Sequence, residues 1–321
     1  MIRCQKYSTN YFSSFAASPL KLILWHSIFI IFTCLIVGYG VVKGIGRSVS
    51  FLMPIFFIFI ILIAIYSSLI GDIDSTLFFL FNPNFSALSP QVIISAMGQA
   101  FFSLSIGMGA IMAYGAYIPE NQLIGKTVLS IILLDTFVAL IAGIAIFPIV
   151  FSNSDLTINA GPSLIFETLP VAFYSLPFGN IFSVLFFVLL SIAALSSSIS
   201  LLEPFTAWME EKFNTERRII VCILGLLIWV IGLGSIFSFN IGQEIKFFGL
   251  NFLEGLDYLT NNIMLPMGGF FIALLTGWIL PKHFLEENLN INGYLFKLLF
   301  FCLRYISTGA ILLIFLYSAF L

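Results

Sequence analysis

The sequence predicts an all-α, polytopic helical membrane protein with eight transmembrane helices. Of its 321 residues, 60% are hydrophobic and only 9% are charged, and the mean hydropathy is +1.10. A soluble domain carries roughly 25% charged residues, so this composition excludes a soluble enzyme. The long apolar runs show no alternation of period two. We therefore expect helices, and not the strands of a closed barrel, to satisfy the backbone polar groups in lipid.

A spanning helix needs about 20 mostly apolar residues, and eight such runs follow one another along the chain. Before the first run, residues 1–19 are too polar to be the apolar core of a signal peptide, so we interpret them as an external tail and the first run as a permanent span. Residues 20–321 then form a single membrane domain. The predicted spans are 20–42, 51–70, 91–117, 128–151, 181–208, 219–237, 252–280 and 294–321.

The basic residues of the connections predict the orientation. Eight of them fall on one side, and the opposite connections between spans offer only Lys246. The loop after span one is therefore expected to be cytoplasmic, which places both termini outside the cell membrane. The eight residues are Lys43, Arg47, Lys126, Lys212, Arg217, Arg218, Lys282 and Lys297.

Several function classes have no support in the composition. The net charge is −2, so a nucleic-acid partner is not expected. The four cysteines form no CxxC pair or metal-ligand spacing, which argues against a disulfide framework or a zinc site. No paired histidines and no Ser/His or Asp/Asp constellation cross the spans, so no catalytic residues and no enzyme activity are predicted.

The third span contains two glycines at mid-membrane depth, and the prediction is that it breaks near residues 105–109. Gly107 and Gly109 bracket Met108, and each costs about 1 kcal/mol relative to Ala in a helix. Non-helical backbone survives at this depth where it lines a cavity enclosed by protein, and transporters use such broken helices to bind ions and substrates. A small-residue face for close helix packing is the alternative.

Ionisable and hydroxyl side chains within the spans are the second unusual feature. Asp135 lies in span four, and Ser196, Ser197, Ser198 and Ser200 crowd span five, with Glu203 one turn beyond. Carboxylate and hydroxyl oxygens are hard ligands that suit a small alkali cation. The serines could instead bond back to their own helix carbonyls, and Asp135 could be a buried hydrogen-bond partner. Asp257 and Arg304 could lie near the membrane interface.

Five stretches carry a resemblance to a known family. The sequence resembles the neurotransmitter:sodium symporters, specifically their bacterial amino-acid branch with eleven helices, nearly end to end and in family order. The stretches are GQAFFSLSIGMGAIMAYGAY at 98–117, LDTFVALIAGIAIFP at 134–148, AGPSLIFETLP at 160–170, AALSSSISLLEP at 193–204 and LDYLTNNIMLPMGG at 256–269.

The resemblance implies a partial inverted-repeat sodium-symporter fold. It maps the eight predicted spans onto helices four to eleven of the family, so the chain is expected to be an N-terminally truncated copy that lacks helices one to three. In the family the first helix supplies much of the amino-acid site and part of both sodium sites. We therefore expect residues 1–321 alone not to catalyse concentrative uptake.

The resemblance also implies roles for individual residues. Ser103 and Asp135 would belong to one sodium site, and the carbonyl of Ala193 with the hydroxyls of Ser196 and Ser197 to the other. The substrate pocket and the external gate would take six further residues. Phe102, Ser105, Met108 and Leu201 would line the pocket, and Gln99 and Asp257 would belong to the gate.

The function implied is sodium-dependent amino-acid symport by alternating access. The expected partners are a small amino acid, sodium as the coupling ion and the lipid bilayer, with no cofactor. The alternative is a transport-inactive remnant or one part of a split transporter, whose missing three helices would come from a separate chain.

Overall fold

The computed structural model describes residues 12–118, 124–152, 164–174, 176–289, 291 and 293–320, so residues 1–11 of the predicted tail lie outside the described residues. Within the described ranges the chain is helical, and no β-strand forms. The helices are α1 (Pro19–Gly38), α2 (Val41–Ile70), α3 (Ile73–Phe81), α4 (Pro90–Ser103), α5 (Ala110–Gly115), α6 (Ile124–Phe151), α7 (Leu169–Tyr174), α8 (Gly179–Phe213), α9 (Arg217–Phe237), α10 (Phe252–Ile279), α11 (Lys282–Leu289) and α12 (Tyr294–Tyr317).

Seven of the described helices are long and apolar enough to cross a membrane, namely α1, α2, α6, α8, α9, α10 and α12. The remaining predicted span, the third in chain order at residues 91–117, consists of α4 and α5 with a stretch between them that is not a regular helix. Each of these two helices is shorter than the roughly 20 residues that a span needs. Together they account for the difference between eight predicted spans and seven long helices.

The chain divides into two compact units. The first comprises Met1–Pro83 and Phe137–Asn251, and the second comprises Asn84–Thr136 and Phe252–Leu321. Helix α6 runs through the division, with its first half in the second unit and its second half in the first.

The core of the first unit forms where α2, the second half of α6, α7 and α8 pack together. Ile63, Ile149 and Phe173 are almost completely buried there. The ring of Tyr66 stacks on Phe182 with 3.6 Å between the ring centroids. In a membrane, the contacts between these side chains are stabilised by close packing. The hydrophobic effect contributes little there, because lipid tails are as apolar as the side chains.

Two glycines allow α9 to approach α1 closely. A Cβ at Gly225 would collide with Cys34, and a Cβ at Gly232 would collide with the His26 ring. The Nε2 atom of His26 lies 3.3 Å from the carbonyl oxygen of Trp229. The spacing of seven residues places both glycines on one face of α9, and small residues on such a face let two helix backbones come together.

A buried ion pair joins α8 to α9. Glu203 on α8 is fully buried, and its carboxylate accepts a hydrogen bond from Nη2 of Arg217 at the start of α9. Nη1 of Arg217 lies 3.1 Å from the Glu210 carboxylate, and Nε donates to the carbonyl of Val37 on α1 at 2.8 Å. One guanidinium therefore connects three helices of the first unit.

Helix α3 follows α2 in the connection outside the spans and begins with a side-chain cap. The carboxylate of Asp72 accepts hydrogen bonds from the backbone nitrogen of Ser75 at 3.0 Å and from its hydroxyl at 2.6 Å. The Ser75 hydroxyl and backbone N–H both favour the ionised carboxylate, so they lower the pKa of Asp72 from its ordinary value. The cap fixes the point at which the chain turns into α3.

Candidate functional site

The stretch between α4 and α5 leaves helical geometry because of its backbone angles. Gly107 and Gly109 have φ values of +98° and +78°, and Ser105 has a φ of +54°. Glycine adopts such angles without strain, whereas a serine there costs on the order of 1–3 kcal/mol. The break therefore coincides with the two glycines that the sequence placed at mid-span.

The break packs closely against α10, within the second unit. A Cβ at Gly107 would lie 2.5 Å from the carbonyl oxygen of Leu265 and 2.9 Å from the nitrogen of Gly269. Phe101, at the end of α4, is buried with Leu265 beside the break, and Met108 packs against the same cluster. A Cβ at Gly268 on α10 would likewise lie 2.5 Å from the carbonyl oxygen of Gly107, so both sides of the contact need a glycine.

Replacing Gly107 with Ala is expected to destabilise the second unit. An L-residue in the left-handed region costs roughly 1–2 kcal/mol, and the added methyl group would meet two backbone atoms of α10 that cannot rotate away. We expect the melting temperature of the detergent-solubilised protein to fall by several degrees. Gly98→Ala in α4 is the matched control, because its Cβ would meet nothing within 4 Å. Equal melting temperatures for the two variants would contradict this account of the break.

A carboxylate and a hydroxyl meet beside the break. Ser103 is the last residue of α4, and its hydroxyl donates a hydrogen bond to a carboxylate oxygen of Asp135 on α6 at 3.0 Å. The same hydroxyl lies 3.4 Å from the carbonyl oxygen of Ala100. Asp135 is half-buried. Its second oxygen and the lone pairs of the Ser103 hydroxyl remain suited to a small cation, since both are hard oxygen donors.

The serines of α8 bond back to their own helix. Ser196 donates to the carbonyl of Ala193 at 2.8 Å, and Ser200 donates to the carbonyl of Ser196 at 3.0 Å. The alternative of local back-bonding is thus present in the structure. A hydroxyl that donates its proton to a carbonyl still has lone pairs, so Ser196 and Ala193 present two adjacent oxygens on one turn of α8. Ser197, the third predicted donor, is exposed on the same turn.

A cavity of about 530 Å³ lies between α4, α10 and α12 in the second unit. It brings together Gln99, predicted for the gate, and Phe102, predicted for the substrate pocket. Asp257, also predicted for the gate, lies one helical turn before the lining residue Asn261. Its carboxylate accepts a hydrogen bond from the Asn261 amide at 2.7 Å. The lining residues are Ile94, Ser95, Gly98, Gln99, Phe101, Phe102, Asn261, Asn262, Leu265, Pro266, Ile314 and Tyr317.

The remaining predicted pocket residues lie in three places. Ser105 is in the break, Met108 packs against the cluster of Phe101, and Leu201 is on α8 in the first unit. Asn261 was absent from the sequence-based set, although it both lines the cavity and holds the Asp257 carboxylate. Two adjacent asparagines within an otherwise apolar span were the signal that could have identified it.

Comparison with known proteins gives consistent matches. The family model described as the sodium:neurotransmitter symporter family matches residues 14–321. An uncharacterised sodium-dependent transporter of Bacillus subtilis, YhdH, is 34% identical over 309 residues, which are 95% of this chain and 68% of that protein. An uncharacterised sodium-dependent transporter of Haemophilus influenzae is 32% identical over 94% of this chain and 66% of that protein.

A solved structure also matches closely. The crystal structure of MhsT in complex with L-phenylalanine superposes with a TM-score of 0.87 at 40% sequence identity, over 98% of this chain and 71% of that one. The chain thus spans about two thirds of the length of these relatives.

Proposed function

Because the chain belongs to the sodium:neurotransmitter symporter family, we propose that it acts in sodium-dependent amino-acid symport, which is transport and not an enzymatic reaction. The hydrogen bond between Ser103 and Asp135 carries the proposal. This contact joins a carboxylate of the spanning helix α6 to the end of a broken helix, and an intramembrane carboxylate is costly unless it serves an ion or a partner.

Two sets of donors would bind the coupling ions. Ser103 and Asp135 form part of one sodium site in the second unit, where the carboxylate offsets the charge of the ion. The carbonyl of Ala193 with the hydroxyls of Ser196 and Ser197 forms part of the other, in the first unit. The first set contains a carboxylate and the second contains only neutral oxygens.

The substrate is an amino acid, and Phe102, Ser105, Met108 and Leu201 would line its pocket. L-phenylalanine occupies the related structure of MhsT, so it is the first substrate to test. A methionine at position 108 suits a pocket that adapts to apolar side chains of different shapes. Gln99 and Asp257 would belong to the external gate, and the amide of Asn261 supports the gate by fixing the Asp257 carboxylate.

The chain is a multi-pass membrane protein of this transporter family, and we place it in the cell membrane with both termini external. The basic residues near the ends of the spanning helices support this orientation, since Lys43 and Arg47 lie in the first turns of α2 and Arg217 and Arg218 at the start of α9. Topology reporters fused to either terminus would be active outside the cell in this arrangement.

Uptake into membrane vesicles tests the proposed function. One set of vesicles holds residues 1–321 alone, and a second also holds a segment of MhsT that carries the first three helices of the family. We expect a sodium gradient to drive uptake of labelled L-phenylalanine only in the second set, because alternating access rocks one structural repeat against the other and needs both. Vesicles with the MhsT segment alone and a potassium gradient serve as controls.

The same experiment separates the alternatives. Uptake in the second set would identify a working symporter, whether it is made from one chain or assembled from two. No uptake in either set would favour a transport-inactive product. Uptake by residues 1–321 alone would contradict the need for further helices.

A further inference from the structure

A second cavity, of about 410 Å³, lies in the second unit between α11 and α12. Its charged residues are three cations and one carboxylate, and aromatic rings form much of the remaining wall. Among the residues that the structure describes, no carboxylate forms an ion pair with any of the three cations. The lining residues are Lys282, Glu286, Gly293, Phe296, Lys297, Phe300, Phe301, Arg304 and Tyr305.

Arg304 packs against the last turn of the spanning helix α10. A Cβ at Gly277 would lie 3.0 Å from the Cα of Arg304, and the indole N–H of Trp278 donates to the carbonyl of Arg304 at 3.1 Å. The spanning helix α10 ends at Ile279, one residue after Trp278. Arg304 is therefore level with the end of α10, at the boundary where tryptophan and tyrosine side chains concentrate.

Two of the three cations of the cavity lie near the same aromatic ring. Nζ of Lys282 lies 4.9 Å from the ring centroid of Phe300, and Cζ of Arg304 lies 6.0 Å from the same centroid. The guanidinium also lies 4.3 Å from the centroid of Trp278. Aromatic faces attract cations only weakly at exposed sites, so these contacts position the charges without neutralising them.

One donor of this cluster is buried and has no partner. Nε of Arg304 is buried, and within the described part of the chain no acceptor reaches it. A buried guanidinium N–H without an acceptor is destabilising, and the more so because the group is charged. An anion in the cavity would supply that acceptor.

We propose that this cavity binds the phosphodiester of an anionic phospholipid, with Lys282, Lys297 and Arg304 as its cationic partners. Phosphate oxygens are the acceptors that a guanidinium fork and lysine ammonium groups recognise, and basic pockets between helices at the membrane boundary suit lipid headgroups. Apolar side chains continue from the cavity along the exposed face of α12, where Leu298 is 47%, Phe301 52% and Tyr305 51% exposed. Acyl chains would cover them, which an inorganic phosphate ion cannot do.

Native mass spectrometry of the purified protein tests the proposal. The protein is incubated in detergent with phosphatidylglycerol or with phosphatidylcholine, and the retained lipid is counted. We expect one phosphatidylglycerol to be retained in preference to phosphatidylcholine, and retention to fall about fivefold or more in K282Q/K297Q. Both lysines are exposed, so this variant should fold. K43Q, which removes a cation elsewhere, is the matched control and should retain the lipid like the wild type.

Two further measurements test the assignment of this cavity to a phospholipid. Arg304→Lys preserves the charge but removes Nε, so its retention of phosphatidylglycerol should lie between those of the wild type and K282Q/K297Q. Displacement of the lipid by millimolar inorganic phosphate would indicate an anion site without a role for acyl chains, and would overturn the assignment to a lipid. Equal retention of phosphatidylglycerol by the wild type and K282Q/K297Q would overturn the site itself.

Discussion

Replacing Asp135 with Asn is expected to reduce sodium-dependent amino-acid uptake roughly 30-fold or more, because loss of one partner of a close charged contact costs about 2–5 kcal/mol. Asn has the shape of Asp but no negative charge, so the variant keeps the hydrogen bond with Ser103 and loses the compensation of the ion. We expect the sodium concentration for half-maximal uptake to rise steeply. The assay is phenylalanine uptake in vesicles that also hold the MhsT segment.

Two further variants serve as a control and as a comparison for Asp135→Asn. Asp74→Asn removes an exposed carboxylate in α3 and should leave uptake and its sodium dependence unchanged. Ser103→Ala removes the neutral hydroxyl and should cost less, about tenfold, in line with 1–2 kcal/mol for one hydrogen bond to a charged group. Unchanged sodium dependence in Asp135→Asn would remove Asp135 from the proposed sodium site, and an unfolded Asp135→Asn protein would identify it as structural.

Arg217→Met is expected to lower the free energy of unfolding by about 3–5 kcal/mol, which is the usual cost of breaking a buried ion pair from one side. Glu203 is fully buried, and the variant removes the arginine that compensates its charge. It also removes the N–H that the Val37 carbonyl accepts. Thermal or denaturant unfolding of the protein in detergent measures the effect.

The neighbouring arginine provides the matched control for this prediction. Arg218→Met changes the net charge equally, but Arg218 is exposed, so its free energy of unfolding should change by less than about 0.5 kcal/mol. Arg217→Met combined with Glu203→Met should recover most of the loss, because an apolar pair of similar volume is often as stable as a buried ion pair. A double variant as unstable as Arg217→Met would show that the ion pair is not the cause.

The site was predictable from sequence where its signal is local. Gly107 and Gly109 at mid-span predict a break because helices penalise glycine, and an aspartate in a span predicts a partner. Composition and the lengths of the apolar runs likewise predict a helical membrane protein. These features depend only on the type of a residue and on its position within an apolar run, and both can be read directly from the sequence.

The pairing of Glu203 was not predictable in this way. In the sequence Glu203 follows the serines of α8 and Arg217 is one of several basic loop residues. They meet because Asn214 adopts a left-handed conformation, with φ of +48°, at the end of α8 and reverses the chain. The close approach of α1 and α9 was not predictable either. The sequence contains Gly225 and Gly232, but it does not show which helix they face.

The clamp formed by Arg217 has a mechanical consequence for the donors on α8. Arg217 ties α8 to the start of α9 and to the end of α1. About one turn further along both helices, the hydroxyls of Ser198 and Thr33 lie 2.9 Å apart, which joins α8 to α1 again. Ala193 and Ser196 therefore lie on a helix that is tied to two others. If a cation bound there displaced α8, then α1 and α9 would have to move with it.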